Sequence, residues 1–353
     1  MSGPHKKTNV LVLYNHVGED EYENLKEVDP SSLGFKTEYP IDVATVKEEI
    51  DAMVEALTSE GFVARAANVR EDLHRLQRLL QREPPDVIFN LVEFFHDSPR
   101  LEGMVAGLYE LYRIPYTGAG PFALGVCQRK GLAKQILLAN GVPTPRYRVL
   151  THPALPKRHG LRYPLIVKPS REDASTGVDK ESVVHDYQSL KERVEKIFAE
   201  LKPPMIVEEF IEGRELHVAV LGNDPPKVLP IIEFDFSQLP PDHPTIISYA
   251  AKWDPLDQTY HQVHAICPAR LSKRVLKKVE SIALAAYQVT GARDYARLDL
   301  RLDAHNRAYV LEVNPNPDLT EGVSFMESAE KAGMSFSETL RKIVEFALER
   351  KQV

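Results

Sequence analysis

Two carboxylates and an amide that could share one cation lie within a single short stretch, residues 296–317, reading ARLDLRLDAHNRAYVLEVNPNP. Asp299, Glu312 and Asn314 offer oxygen donors. Oxygen donors suit a hard cation such as magnesium, which also takes phosphate oxygens and water. The chemistry such a set could support is that of a bound hard cation.

A hairpin must position these groups. Ala296, Leu298, Leu300 and Leu302 alternate with Arg297, Asp299, Arg301 and Asp303. That period of two predicts a half-buried strand. Ala304 to Arg307 is a polar turn, with Asn306 where a positive φ is tolerated. Tyr309 to Asn314 is a second β-prone run, stopped by Pro315 and Pro317. Folding about a point between His305 and Asn306 sets Asp299 opposite Glu312 and Arg297 opposite Asn314. Opposed carboxylates destabilise a sheet unless positive charge lies between them. The alternative is a solvated hairpin face carrying Arg–Asp pairs. Glu312 inside the apolar run Val310 to Val313, followed by Asn-Pro-Asn-Pro, favours the cation.

The chain of 353 residues is long enough for two or three domains. Its 43% hydrophobic and 27% charged content is that of a globular protein. A net charge of −7 argues against a nucleic-acid partner. Cys127 and Cys267 have no metal or disulfide spacing and read as buried, reduced thiols. No signal peptide and no membrane-spanning run is evident, so a cytoplasmic protein is expected.

The elements before the hairpin read in order. NVLVLY (9–14), FVARAANV (62–69) and DVIFNLVE (86–93) are strands separated by two helical patterns, which predicts a doubly wound parallel sheet. A long loop, 15–40, follows the first strand. Asn15, His16, Asn90, Glu93, His96, Asp97, Arg100 and Glu102 cluster at strand ends as candidates for a substrate-facing rim; each alone reads as a capping or solvated group. A helix over about 122–140 carries Lys130 before an apolar face of Leu132, Ile136, Leu137 and Leu138. YPLIVKPS is a buried strand whose Lys168 should meet an anion, because an unpaired buried ammonium costs roughly several kcal/mol. Ser170, Ser175, Thr176 and Gly177 in SREDASTGV suit a lid whose backbone amides cover phosphates. MIVEEFIEGRE reads as a strand ending at Gly213, ELHVAVLG as an alternating strand, and 237–262 as a loop containing Lys252 and Trp253.

RLDLRLD…YVLEVNPNPDLTEG resembles the metal-binding end of ATP-grasp enzymes, and the D-alanine–D-alanine ligase branch in particular. The resemblance runs over most of the chain and is strongest from Pro115 on. It implies a three-domain α/β ATP-grasp fold: an N-terminal doubly wound unit over 1–120, a central α+β subdomain over 121–212 and a C-terminal α+β subdomain over 213–353. It implies that Asp299, Glu312 and Asn314 hold two magnesium ions, or manganese, on the phosphates of ATP. Arg297 would match the arginine that steadies the tetrahedral oxyanion, and Lys130 and Lys168 the two phosphate lysines. Glu208, Phe210 and Ile211 would line the adenine and ribose pocket, with Glu215 on the ribose hydroxyls. Lys252 would match a loop lysine that contacts the γ-phosphate or a substrate carboxylate, and Ser175 the second serine of the lid.

The amino-acid end departs from the pattern. YNHVGEDEYENL replaces the Gly-Gly-x-Ser-x-Glu motif, leaving Glu19, Asp20, Glu21 and Glu23 as acidic candidates for the substrate amine. Ala174 and Trp253 stand where the family has a serine and a tyrosine. Asp318 stands at a usual glycine, and Val323 at a carboxylate-binding serine, with Ser324 one residue off. His261 and His264 lack metal spacing and are given no ligand role. The expected function is an ADP-forming carboxylate–amine ligase acting on amino acids through an acyl phosphate. The alternatives are a ligase for other amino acids or a dipeptide, and a non-catalytic ATP-binding module. A homodimer is expected, as among similar ligases.

Overall fold

The computed structural model describes residues 7–18, 20–96, 98–171, 175–200 and 204–350. Among them the strands form three sheets. The first holds β1 (Asn9–Tyr14), β2 (Val63–Asn68) and β3 (Val87–Leu91), parallel and in the order β2-β1-β3. Its central strand is apolar and buried from Val10 to Leu13 because helices cover both faces. α1 (Val46–Ser59) packs on one side, and α2 (Leu73–Arg82) and α3 (Glu102–Leu111) on the other. α1 starts where Thr45 and Glu48 form a reciprocal capping box.

The expected helix over 122–140 is two helices, α4 (Pro121–Cys127) and α5 (Lys130–Ala139). The break places Lys130 at the first turn of α5, where its backbone N–H donates to Ser170 O at 3.1 Å. The buried face of α5 is Ala133, Lys134 and Leu137 rather than the expected leucine stripe; Leu132 and Leu138 are exposed. The second sheet contains β4 (Tyr147–Leu150), β5 (Leu165–Pro169), β6 (Val183–Val184) and β7 (Met205–Glu209), in the order β4-β7-β5-β6. α6 (Tyr187–Glu200) covers it with Leu190, Val194 and Ile197. β7 ends at Glu209, before the expected Gly213.

The third sheet joins β8 (Arg214–Leu221), β9 (Lys227–Val228), β10 (Ile232–Asp235), β11 (His264–Ile266), β12 (Tyr295–Leu302) and β13 (Ala308–Asn314). Its main path is β11-β10-β8-β12-β13, with β9 on β8. The expected loop over 237–262 contains two short helices, α7 (Tyr249–Trp253) and α8 (Gln258–Gln262). α9 (Lys273–Thr290) covers the apolar face of β12. α10 (Ser324–Lys331) and α11 (Phe336–Glu349) follow the hairpin, and α11 returns to pack on α1. Cys127 is buried, Cys267 only partly, and neither is in a disulfide.

The β12–β13 hairpin departs from expectation in two ways that cancel at the site. Its turn centres on His305: Leu302 pairs with Ala308, and Asn306 takes φ 56°. A bulge then leaves Leu311 unpaired, because the register shifts between Asp299 and Leu300. Beyond it, Asp299 faces Glu312 and Arg297 faces Asn314, as the pattern required. β12 is buried along its whole length instead of half-buried. Its charged face lines a cleft that other loops cover.

Candidate active site

A cleft runs between the second and third sheets. Lys130, Lys168, Ser175, Glu208, Phe210, Ile211, Glu215, Lys252, Arg297, Asp299 and Glu312 all line it. Of the twelve residues the resemblance assigned to ATP, metal or catalysis, only Asn314 is not in its wall. Its side chain lies beside the site, Nδ2 donating to Asp299 Oδ2 at 3.2 Å.

Each carboxylate of the opposed pair has its own cation. Arg297 grips Asp299 through two bonds, Nε to Oδ1 at 2.8 Å and Nη2 to Oδ2 at 3.0 Å. Lys130 Nζ lies 2.9 Å from Glu312 Oε2. Burial alone would raise the Glu312 carboxyl; Lys130 and Lys168 overcome it and hold the group well below its ordinary range. Glu312 is thus held ionised, and Asp299 is bound in a bidentate grip by a guanidinium. With Asn314 they form an all-oxygen donor set flanked by phosphate-seeking cations, which fits magnesium. Among the described residues no three His, Cys, Asp or Glu side chains cluster as a metal site; the set here is two carboxylates and an amide.

Three polar residues in or beside this cleft escaped the sequence reading. Lys134, 1% exposed, has its Nζ 3.1 Å from Glu208 Oε1 and donates to Thr144 Oγ1 at 2.8 Å. Lys168 Nζ lies 3.4 Å from Glu208 Oε2. Glu208 is therefore enclosed between two lysines. Burial would raise its carboxyl, but the lysine charges more than offset this and lower it. The missed signal was spacing: Lys134 follows Lys130 by four residues, on the same helix face. His217, on β8, stands 3.5 Å from Asp299 Oδ1 through Nε2, and its Nδ1 lies 3.0 Å from Ser324 Oγ. Burial pushes its pKa down to about 3, so the ring is neutral. Arg301, on β12, pairs with Glu215 at 3.6 Å. Its alternation with Arg297 and Asp299 is the signal that could have found it.

Glu215 is raised to about 7 by burial, against the opposing charge of Arg301. Lys252 is lowered to about 8, first by burial and then by Arg297. Its Nζ sits 4.8 Å from the centre of the Trp253 ring. Ser175, at φ 62°, donates its hydroxyl to Ile247 O at 3.2 Å. Tyr249 N donates to Val178 O at 3.0 Å. The lid and the loop carrying Lys252 are thus joined.

That loop is also held from the N-terminal side. Tyr22 donates its hydroxyl to Trp253 O at 3.3 Å. The backbone N–H groups of Glu38 and Tyr39 both donate to His261 Nδ1 at 3.2 Å, and His261 Nε2 donates to Pro255 O at 2.9 Å. Tyr39 and His264 are hydrogen-bonded at 2.8 Å. The two histidines given no ligand role are fasteners.

Much of the expected rim is structural stitching. Asn15 bonds Phe94 O and Glu93 N. Asn90 accepts from the Tyr109 hydroxyl. Glu102 accepts from Gln128 and Asn316. Asp20 accepts from Tyr22 N and Val46 N, which anchors the start of α1. Glu19, Asp97, Asp173, Ala174 and the Glu21 side chain lie outside the described residues. A residue not singled out, Glu49 on α1, has its carboxyl raised to about 7 by burial and by Asp318, with Asp20 and Glu93 adding to the effect.

Comparison with known proteins places this geometry in a family. The model of the D-ala D-ala ligase C-terminus matches residues 136–345. A D-alanine–D-alanine ligase of Carboxydothermus hydrogenoformans is 32% identical over 312 residues, 86% of this chain and 93% of that protein. One of Desulforudis audaxviator is 33% identical over 306 residues, 85% and 92%. An uncharacterized protein of Sinorhizobium fredii is 32% identical over 282 residues, 79% and 80%. The crystal structure of D-alanine–D-alanine ligase from Bacillus anthracis complexed with ATP superposes with a TM-score of 0.72 at 22% identity, covering 98% of this chain and 99% of that one, which shows the shared fold. With the C-terminal model matched over more than half the chain and near full-length relatives above the threshold of chance resemblance, this chain belongs to the D-alanine–D-alanine ligase family of ATP-dependent, ATP-grasp ligases.

Proposed function

We propose that the protein joins a carboxylate to an amine, both on amino acids or short peptides, through an acyl phosphate made from ATP. The observation that carries this is the opposed pair Asp299 and Glu312, set in a cleft with Lys130, Lys168, Lys252 and Arg297. In this reading Phe210 and Ile211 contact the base, Glu215 the ribose hydroxyls, and Lys130 and Lys168 the phosphates. Glu208 acts by holding Lys168 in place. Two magnesium ions held by Asp299, Glu312 and Asn314 would neutralise charge on the transferring phosphate. Arg297 keeps Nη1 outside its grip on Asp299, so it can donate to the oxyanion formed when the amine attacks; one such donor is worth ~3–4 kcal/mol. Ser175 holds the lid to the loop that presents Lys252. The division into units at residues 120 and 212, and assembly as a homodimer, belong to the same proposal.

D-alanine as both substrates is one form of this reading. Asp318, which senses Lys252 and Arg297 of the cleft, gathers with Glu49, Asp20 and Glu93 into carboxylate charge that would stabilise a substrate ammonium, of D-alanine or of another amine. The test is incubation with Mg-ATP and each D- and L-amino acid, singly, in pairs and with short dipeptides, following phosphate release and product mass. D-alanyl-D-alanine, or another amide formed with stoichiometric ADP, is the expected result. Nucleotide binding with no product from any input would refute the ligase reading and leave a binding module.

A further inference from the structure

We propose that Arg301 is a positioning residue for the ribose of the nucleotide: it fixes Glu215 for the ribose hydroxyls and ties that grip to the loop that carries Lys252. The inference rests on the reading that ATP occupies the cleft with its ribose at Glu215.

Arg301 and Glu215 are direct neighbours across the β8–β12 pair. Both are buried, at 2% and 8% exposure, and both line the cleft. The guanidinium carbon lies 4.6 Å from the centre of the Phe210 ring, so the group is stacked and cannot swing away freely. Nη2 stands 3.6 Å from Glu215 Oε2, an ion-pair contact longer than a hydrogen bond. Arg301 therefore supplies positive charge without consuming the carboxylate lone pairs, which stay available to hydroxyl donors. The same Nη2 donates to Gly213 O, at the entry to β8, and to Thr245 O. Thr245 precedes Ile246 and Ile247, which line the cleft on the way to Lys252. Nε is buried with no acceptor among the described residues. One side chain thus touches the base platform, the ribose carboxylate and the root of the catalytic loop.

A purely structural arginine would pin the loop and affect every nucleotide equally. A ribose-positioning arginine would matter only when the hydroxyls are present. The experiment measures the Kd of Mg-ATP, Mg-2′-deoxy-ATP and Mg-3′-deoxy-ATP by calorimetry for the wild type, Arg301→Met, Arg301→Lys and Glu215→Gln. The wild type should prefer ATP over at least one deoxynucleotide by about tenfold or more, the size of one charge-assisted hydrogen bond. Arg301→Met should weaken ATP more than either deoxynucleotide and so bring that ratio within about threefold, and Arg301→Lys should restore part of it. Equal weakening of all three nucleotides in both Arg301 variants would overturn the proposal and leave a structural pin. Discrimination lost in Glu215→Gln but kept in Arg301→Met would overturn the role of Arg301 alone. Discrimination absent from the wild type, or unchanged in Glu215→Gln, would overturn the ribose reading beneath it.

Discussion

Replacing Lys134 by methionine removes one charge from the most enclosed ion cluster of the cleft. Lys134 and Glu208 are each 1% exposed, with Nζ to Oε1 at 3.1 Å. Lys168 remains 3.4 Å from the other oxygen. At an effective dielectric of about 20, each contact supplies roughly 5 kcal/mol of attraction, so the substitution removes about half of what holds the carboxylate ionised. Removing one partner of a buried pair usually costs about 3–5 kcal/mol. Because Lys168 remains and methionine keeps the apolar stem packed, the low end, about 3 kcal/mol, is expected. The assay is urea unfolding of Lys134→Met, Glu208→Gln and the double variant, with unchanged m-values as the check on the denatured state. The double variant should cost less than the sum of the singles by at least about 1.5 kcal/mol. A coupling under about 0.5 kcal/mol would show that the two groups do not sense each other, and the account of Glu208 as a lysine-held anchor would fail.

Asp299→Asn and Glu312→Gln should each lower magnesium-dependent phosphate release by about a hundredfold or more with the fold intact by circular dichroism; rates within about threefold of wild type would remove them from the metal set. Glu49 has a folded pKa of about 7, above its unfolded value, so the folded state holds the extra proton. Its contribution favours the fold at low pH and is lost as pH rises from the unfolded carboxylate range through about 7. Glu49→Gln should therefore gain stability relative to wild type over that window, read as urea midpoints against pH; parallel curves would refute this. Gly213 has φ +141°, and a Cβ there would lie 2.0 Å from Leu302 O. Gly213→Ala should lower the thermal midpoint and weaken ATP binding together, since Gly213 O is also an acceptor for Arg301; a midpoint within about 1 °C of wild type would contradict the crowding.

The hairpin was legible because its two signals are local. Period-two alternation gave the strands, and a turn rich in polar residues joined them. The bulge at Leu311 was not legible, since an extra residue in a strand leaves the apolar pattern nearly unchanged while shifting the pairing. Burial of β12 on both faces also escaped the pattern: alternation gives a half-buried strand, and only loops from elsewhere cover the face that carries Arg297, Asp299 and Arg301. Lys168 was found because a lysine in an apolar strand demands an anion. Lys134 was missed because a lysine on an amphipathic helix ordinarily faces water, and only the third dimension shows Glu208 waiting beneath it. The rim failed differently. Asn15, Asn90 and Glu102 are polar residues at strand and helix ends, and the same positions serve backbone satisfaction as readily as substrate.

The fastening of the 245–262 segment bears on how freely this chain can be recombined with its relatives. Its anchors come from the lid, through Ser175 and Val178, and from the first forty residues, through Tyr22, Glu38 and Tyr39. The acceptors on the segment are backbone carbonyls and one histidine nitrogen. A hybrid in which a shorter loop replaced residues 15–40 after the first strand would keep a sound N-terminal sheet and a sound hairpin. It would lack the struts that hold Trp253 and His261, and with them the placement of Lys252. Parts that look interchangeable in a linear alignment are, in this molecule, sections of one frame.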